Sequence, residues 1–323
     1  MADQTKIIET LRNEEYFYMI SHMLPDGDSI GSLLAMGEAL QGMGKEVRLF
    51  TPGSIPYKYR YLNHSAKVEH EIFDNDPNIT MVVLDSSDVE RLGIFKDTVL
   101  KSKKIINIDH HITNQRFGTL NLVNPEAAAT GEIVYDLLEE LQVELNESIA
   151  ESLYVAISTD TGSFKYENTT AKTHRVISSL LEYDLNPGAI SQRIFDERSL
   201  PFYILLKEAL SSIELYEGRR IAVMTLSKDL RERTGATTDD LEGIVNYTRN
   251  IEGVELGILF YVESASELKV GFRSKEIDVS ELAGRLNGGG HIRAAGCRMQ
   301  GDFESLKNKV MTEAFAVLKE LQS

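Results

Sequence analysis

The stretch YFYMISHMLPDGDSIGSLLAMGEALQGMGKEVRLF, residues 16–50, decides the fold. Its apolar run at 16–21 predicts a strand, the helix-period segment from about 29 to 43 a helix, and EVRLF at 46–50 a second strand, which together read as β-α-β. The order continues through TMVVLD (80–85) and KIINID (104–109), with helical stretches near 131–142, 147–158 and 170–184. Continuous β-branched runs followed by helices indicate an α/β fold whose parallel sheet is buried on both faces, and chemistry in such sheets sits at the carboxyl ends of the strands. The pattern changes after 184, where Pro187 and Pro201 bracket a segment expected to be helical in part. We expect a domain over 1–187, a linker over 188–200 and a smaller α+β domain over 201–323, with a cleft between the two. The second part reads as a helix (202–213), strands IELYEG and RRIAVMTLS, a helix (238–250), strands VELGILFYVE and ELKVGFRSK, and a closing helix (303–321). Its one unusual segment is LNGGGHIRAAGCR, residues 286–298.

Composition narrows the function classes. At 323 residues the chain exceeds what one core usually organises, and 42% hydrophobic with 26% charged residues is ordinary for a globular protein. No run approaches the roughly 18 to 20 apolar residues that cross a bilayer, and MADQTKIIETLRNEE lacks the layout of a signal peptide, so a cytoplasmic protein without a membrane partner is expected. The single cysteine, Cys297, excludes an internal disulfide and thiolate metal sites. A formal net charge of -16 disfavours long duplex nucleic acid as a ligand, because phosphate neutralisation by Lys and Arg supplies most non-specific affinity there. A small anionic substrate is compatible if metal ions reverse the potential locally.

Four segments carry chemistry. Ser21 to Ser29 contains H-x-x-x-D-x-D as His22, Asp26 and Asp28, and alternate positions 26 and 28 direct two carboxylates to separate points, with Gly27 turning the loop between them. Asp28 or Ser29 also suits a helix cap. MVVLD ends its strand with Asp85, and KIINIDHH ends its strand with Asp109, His110 and His111. An extended backbone puts His110 and His111 on opposite sides, one for metal and one for substrate, and Asp109 could orient either ring. In AISTDTGSFKYENTT, Asp160 ends an apolar stretch and Gly162 permits close backbone approach. His22, Asp26, Asp28, Asp85, His110 and Asp160 thus occupy comparable loop positions on one sheet edge. Four carboxylates gathered there would repel unless cations joined them, so two divalent ions are expected. Mixed imidazole and carboxylate ligands favour Mn²⁺ over Mg²⁺, with Zn²⁺, Co²⁺ and Fe²⁺ as alternatives. In the second domain the run Gly288, Gly289 and Gly290 can present backbone N–H groups to an anion, with His291 as a further donor; an ordinary glycine-rich turn is the plainer reading.

Taken together, these segments resemble the DHH phosphoesterase superfamily, named for the triplet seen here as Asp109-His110-His111. GGGH followed by Ala294-Ala295-Gly296 is similar to the DHH-associated domain of its nanoRNase and pAp-phosphatase (NrnA-type) branch. The resemblance implies that His22, Asp26 and Asp85 hold one metal, that Asp28, Asp85, His110 and Asp160 hold the other, and that Asp85 bridges. It also implies that His111 acts beside the scissile phosphate, making Asp85 and His111 the catalytic pair. From the second domain it implies substrate contacts by His291, the three glycine amides, and Arg273 and Ser274 of GFRSK.

The expected reaction is in-line hydrolysis by a two-metal phosphodiesterase or phosphatase. The resemblance implies short nucleotides as partners: oligoribonucleotides, linear dinucleotides such as pApA or pGpG, and 3'-phosphoadenosine 5'-phosphate. Homodimerisation is one candidate assembly. An inorganic pyrophosphatase or exopolyphosphatase is the alternative enzyme, against which GGGH weighs. A non-catalytic nucleotide-binding protein would need a broken ligand set, and none of the six positions is broken. A Rossmann cofactor protein is disfavoured because no G-x-G-x-x-G follows a strand.

Overall fold

The run from residue 16 folds as the β-α-β unit its pattern predicts. The computed structural model describes residues 2–72, 76, 78–237, 239–241 and 243–320. It divides into two units, 1–197 and 198–323. The first contains α1 (Ala2–Asn13), β1 (Tyr16–Ile20), α2 (Gly27–Gly42), β2 (Glu46–Phe50), β3 (Thr80–Leu84), α3 (Lys96–Lys101), β4 (Lys104–Asp109), β5 (Leu120–Val123), α4 (Thr130–Leu141), α5 (Glu147–Asp160), α6 (Ala171–Leu180) and α7 (Pro187–Ser191). Its sheet is wholly parallel, in the order β2-β1-β3-β4-β5. Strand alternation feeds two cores. Phe17, Met19, Val82, Leu84, Ile106 and Ile108 pack with α1, α2, α4 and α5, while Tyr18, Ile20, Met81, Val83 and Ile105 meet Leu92, Phe95 and Val99 on the other face. Sequence reading did not anticipate α1, α3 or the short, half-buried β5.

Strand order fixes where a ligand can sit. β1 has β2 on one side and β3 on the other, so the chain changes its direction across the sheet between β1 and β3. Open α/β sheets bind ligands outside the strands' carboxyl ends at such a switch point. Residues 22 and 85 follow the two strands that flank it.

Helix α2 reaches the same edge through its contact with α5. A β-carbon on Gly27 would fall 2.3 Å from Thr159 Oγ1, and one on Gly31 would fall 2.3 Å from the Ser152 carbonyl oxygen. The expectation that Gly27 turns a loop is therefore corrected: it is the first residue of α2, and what it supplies is room for α5.

The stretch expected to join the domains, 188–200, contains the rest of α7, a π-type turn at Gln192–Asp196 and the first residue of α8 (Leu200–Ser211). Pro187 and Pro201 stand in the first turns of α7 and α8, where a missing N–H costs nothing. The second unit continues with β6 (Glu214–Tyr216), β7 (Ile221–Leu226), α9 (Lys228–Thr234), α10 (Asn246–Arg249), β8 (Leu256–Ser264), β9 (Glu267–Ser274), α11 (Val279–Arg285), β10 (Gly289–His291), β11 (Ala294–Gln300) and α12 (Phe303–Glu320). The order of its mixed sheet is β10-β11-β9-β8-β7-β6. The helix expected over 238–250 is replaced by a 3₁₀ turn at Asp239–Leu241 and the four-residue α10, with Gly243 at φ +85° between them; positions 238 and 242 lie outside the described residues. The segment 286–298 begins at the C-cap of α11, Leu286, and continues into a β10–β11 hairpin.

The α2–α5 contact gives a paired prediction. Gly31→Ala drives a methyl group into backbone and is expected to cost about 1 to 3 kcal/mol. Gly42→Ala, in open space at the end of the same helix, is expected to be neutral or stabilising by up to about 1 kcal/mol. Urea denaturation checks both, and equal effects would contradict the close approach.

Candidate metal centre

Every polar side chain expected at the sheet edge in the first unit arrives there from a strand end or a helix end. His22 lies two residues beyond β1, Asp85 immediately follows β3, and His110 and His111 immediately follow β4. Asp85 holds a left-handed backbone, φ 57°, with its N–H donating to the Ile108 carbonyl at 2.9 Å. Such strain in a non-glycine residue persists where surrounding structure fixes it, commonly at functional sites. Asp26 is the N-cap of α2 and accepts from the Ser29 N–H at 3.0 Å, so one residue both caps and contributes a carboxylate to the edge. Asp160 differs from expectation, being the last residue of α5 rather than a loop residue.

Three sets of donor atoms converge within 4.8 Å: His22, Asp26 and Asp85; Asp28, His110 and Asp160; and Asp85, His110 and His111. His22 Nε2 lies 3.6 Å from Asp85 Oδ2, while His110 Nε2 lies 3.8 Å from both Asp85 Oδ1 and Asp28 Oδ2 and 3.5 Å from Asp160 Oδ2. These separations are long for hydrogen bonds. They suit an ion between the atoms, since two donors each about 2.0 to 2.2 Å from one cation lie roughly 3 to 4 Å apart. A second feature agrees: His22 Nε2 is buried without a hydrogen-bond partner. Asp85 faces His22 with one oxygen and His110 with the other. The residues therefore fit divalent cations.

Neighbouring groups set the orientation of these side chains. His110 Nδ1 is 3.3 Å from the Ala127 carbonyl, which holds Nε2 toward the carboxylates. His111 Nδ1 is 2.7 Å from Asp109 Oδ1, and Asn114 Nδ2 donates to Asp109 Oδ2 at 2.6 Å. The Asp28 carboxylate accepts from the N–H groups of Thr130 and Gly131, the first turn of α4, at 2.6 and 2.9 Å, and from Ser32 Oγ at 3.1 Å. Thr130 Oγ1 donates to Asp85 Oδ1 at 3.0 Å. Sequence reading missed Ser32, Asn114, Thr130 and Gly131; the small residues ahead of α4, AAATG at 127–131, were the available signal. The expectation that His110 and His111 lie on opposite sides is also corrected. Both residues are past the strand end, where alternation no longer applies, and their rings meet edge to face at 4.8 Å.

Burial and mutual repulsion are visible in the ionisation of the cluster. Burial, then the charges of Asp85, Asp160 and Asp26, hold the Asp28 carboxyl well above its usual value. Burial and the charges of Asp26 and Asp85 push Asp160 up to about 7 against the pull of His110. Burial would raise Asp85 too, but the adjacent His22 imidazole and the charges of His111 and His110 hold it far below the usual range. Burial disfavours the His111 cation, yet the Asp109 hydrogen bond and the Asp85 charge raise it to about 9.

In the second unit the expected substrate residues are described separately. Arg273 lies on the less buried face of β9, its Nε donating to Asn246 Oδ1 at 3.0 Å. Ser274 is corrected: strand alternation buries it, and its hydroxyl donates to the Ile277 carbonyl. Of the three glycine amides, that of Gly288 is engaged within the fold. The Gly288 N–H donates to the Ala283 carbonyl at 2.7 Å, closing the end of α11, while Gly289 and Gly290 pair with Gly296 and Ala295. A β-carbon on Gly288 would strike the Gly296 carbonyl and Cys297, and one on Gly290 would strike Ala294 and Ala295, so hairpin packing accounts for both; only Gly289 faces open space. The side chain of His291 lies outside the described residues.

Comparisons with known proteins find relatives along most of the chain. Residues 17–157 match the N-terminal domain of the DHH family and residues 218–320 match the DHHA1 domain. The chain is 33% identical over 297 residues to the bifunctional oligoribonuclease and PAP phosphatase NrnA of Thermus thermophilus, covering 91% of this chain and 87% of that protein. It is 28% identical over 296 residues to the Bacillus subtilis protein of the same description, covering 91% and 92%. The fold is shared with the crystal structure of an exopolyphosphatase-related protein from Bacteroides fragilis at TM-score 0.90 and 24% identity, covering 99% of this chain and 96% of that one. Among the described residues no helix is long and apolar enough to cross a membrane.

The ionisation pattern predicts how the metal-free protein responds to pH. Asp28 and Asp160 hold extra protons in the folded state from the usual carboxylate value of 3.8 upward, for Asp160 to about 7, so their contribution to stability falls as pH rises through that window. The His111 contribution is complete below 6.5 and is lost as pH climbs through about 9. That of Asp85 is present above 3.8 and lost only in acid. With chelator, the melting temperature should therefore fall between about pH 5 and about pH 8.5, and Mn²⁺ should reverse most of that fall because ligand deprotonation favours metal. Thermal denaturation with and without metal checks this, and a pH-independent metal-free melting temperature would contradict it.

Proposed function

The chain belongs to the DHH family, and from that membership we propose that its first unit hydrolyses phosphoester bonds in short oligoribonucleotides, in linear dinucleotides such as pApA and pGpG, and in 3'-phosphoadenosine 5'-phosphate. The observation that carries the reading is the pair of donor sets sharing Asp85, at separations that accommodate cations and defeat hydrogen bonds. The relatives' descriptions as oligoribonuclease and PAP phosphatase support the substrate class.

Residues His22, Asp26 and Asp85 would hold one divalent ion and Asp28, Asp85, His110 and Asp160 the other, most suitably Mn²⁺ given the mixed imidazole and carboxylate donors. When bound, two such ions would supply a nucleophile at neutral pH and would neutralise charge on the phosphoryl oxygens. The remaining work falls to the chain. His111, its Nδ1 held by Asp109, is placed to donate a hydrogen bond through Nε2 to a phosphoryl or leaving oxygen as negative charge grows there. Thr130 and the α4 N–H groups keep Asp85 and Asp28 aimed, so neither of these two carboxylates needs to reorient during turnover. Arg273 and His291 of the second unit are proposed to bind the nucleotide's other polar groups. A net charge of -16 leaves the approach of long polyanions unfavourable, which limits substrates to short ones.

Two measurements test this. Asp85→Asn, which keeps the shape and removes the shared charge, is expected to lower turnover of pApA on the order of a hundredfold or more with the fold intact. Near-normal activity of the metal-loaded variant would contradict the shared role. A manganese-supplemented panel of pAp, pApA, pGpG, short RNA and pyrophosphate should give nucleotide cleavage; phosphate release from pyrophosphate alone would overturn the substrate class.

A further inference from the structure

The loop after Asp160 carries a feature that the proposed chemistry does not use. Thr161 is the C-cap of α5, and Gly162, Ser163 and Phe164 follow in left-handed backbone at φ 57°, 60° and 64°. Two N–H groups, of Lys165 and Tyr166, return to the Thr161 carbonyl at 2.9 and 3.0 Å. Asn168 Nδ2 closes the loop by donating to the carbonyls of Ala128 at 2.9 Å and Asp160 at 3.2 Å. Phe164 is turned inward against Tyr154 and His174, so the tight turn anchors on one aromatic ring and presents the other.

The ring presented is Tyr166, 49% exposed. A β-carbon on Gly162 would lie 2.3, 2.5 and 2.6 Å from its Cζ, Cε2 and Cε1. Near-equal distances to these three atoms put that position above the ring face rather than at its edge. Gly162 is therefore needed twice, for its positive φ and because the Tyr166 ring lies flat on its α-carbon. One ring face is backed by main chain two residues from Asp160, while about half of the residue as a whole stays open to solvent.

We propose that Tyr166 is a stacking platform for a nucleobase of the substrate, held beside the metal centre by the 161–168 loop. The inference rests on the nucleotide reading of that centre and deepens it by assigning a base contact to this unit. A planar aromatic face supported from behind loses little freedom when a base covers it, and stacking is tolerant of base identity because every base has a π-face. Such a contact distinguishes nucleotides from phosphate or pyrophosphate, and it favours no one sequence.

The test compares KM and kcat of wild type, Tyr166→Phe and Tyr166→Ala on 3'-phosphoadenosine 5'-phosphate, on pApA, and on the abasic counterpart 1-deoxyribose 3,5-bisphosphate. Tyr166→Ala should raise KM for the two base-bearing substrates about tenfold and leave the abasic one within about twofold, while Tyr166→Phe stays near wild type on all three. An equal loss on base-bearing and abasic substrates would make Tyr166 a structural residue and overturn the proposal, as would an unchanged KM in Tyr166→Ala. Wild-type protein that cleaves none of the three would instead refute the nucleotide reading, and this proposal with it.

Discussion

Four carboxylates brought to one end of a parallel sheet are the constraint on which the first unit is organised. Without compensation such a cluster opposes folding, and the opposition shows in the raised ionisation of Asp28 and Asp160. Asp85 is the exception because three imidazoles surround it. It stands at the centre of the cluster with each oxygen turned to a different partner set, in a backbone conformation that a residue with a side chain rarely adopts. A protein that needed only a folded core would have little use for this arrangement.

The fold supplies what the cluster requires. Strand order places β1 and β3 side by side, so His22 and Asp85 emerge as neighbours. Missing β-carbons at Gly27 and Gly31 let α2 lie against α5, which joins the D-x-D carboxylates to Asp160 although more than a hundred residues separate them in sequence. The start of α4 contributes donors to Asp28 and Asp85 together, so two residues with unremarkable side chains, Thr130 and Gly131, fix the aim of two of the four acids. A helix N-terminus also carries partial positive charge, which favours anions before any cation binds.

Much of this was legible from residue types. Strands at 16–20, 46–50, 80–84 and 104–109 are short, mainly apolar runs with β-branched or aromatic residues in each, and the acids and imidazoles at their ends have few structural reasons to be there. What escaped reading has physical causes. Thr130, Ser32 and Asn114 act through hydrogen bonds that depend on tertiary placement, and their residue types are common on any helix or loop. Asp160 looked like a loop residue because TDTG resembles the other loops, whereas α5 continues to it. The GGGH run suggested an anion nest, but glycines also serve close hairpin packing, and Gly288 and Gly290 do so here. The helix expected at 238–250 failed at Gly243, whose left-handed φ ends the periodicity.

The central claim is that one aspartate is shared between two cations. Crystals grown with manganese and measured at the manganese absorption edge test it most directly. Two anomalous peaks per chain are expected, one at His22 and Asp26, the other at Asp28, His110 and Asp160, with an Asp85 oxygen on each. A single peak, or two peaks with Asp85 bound to only one of them, would contradict it.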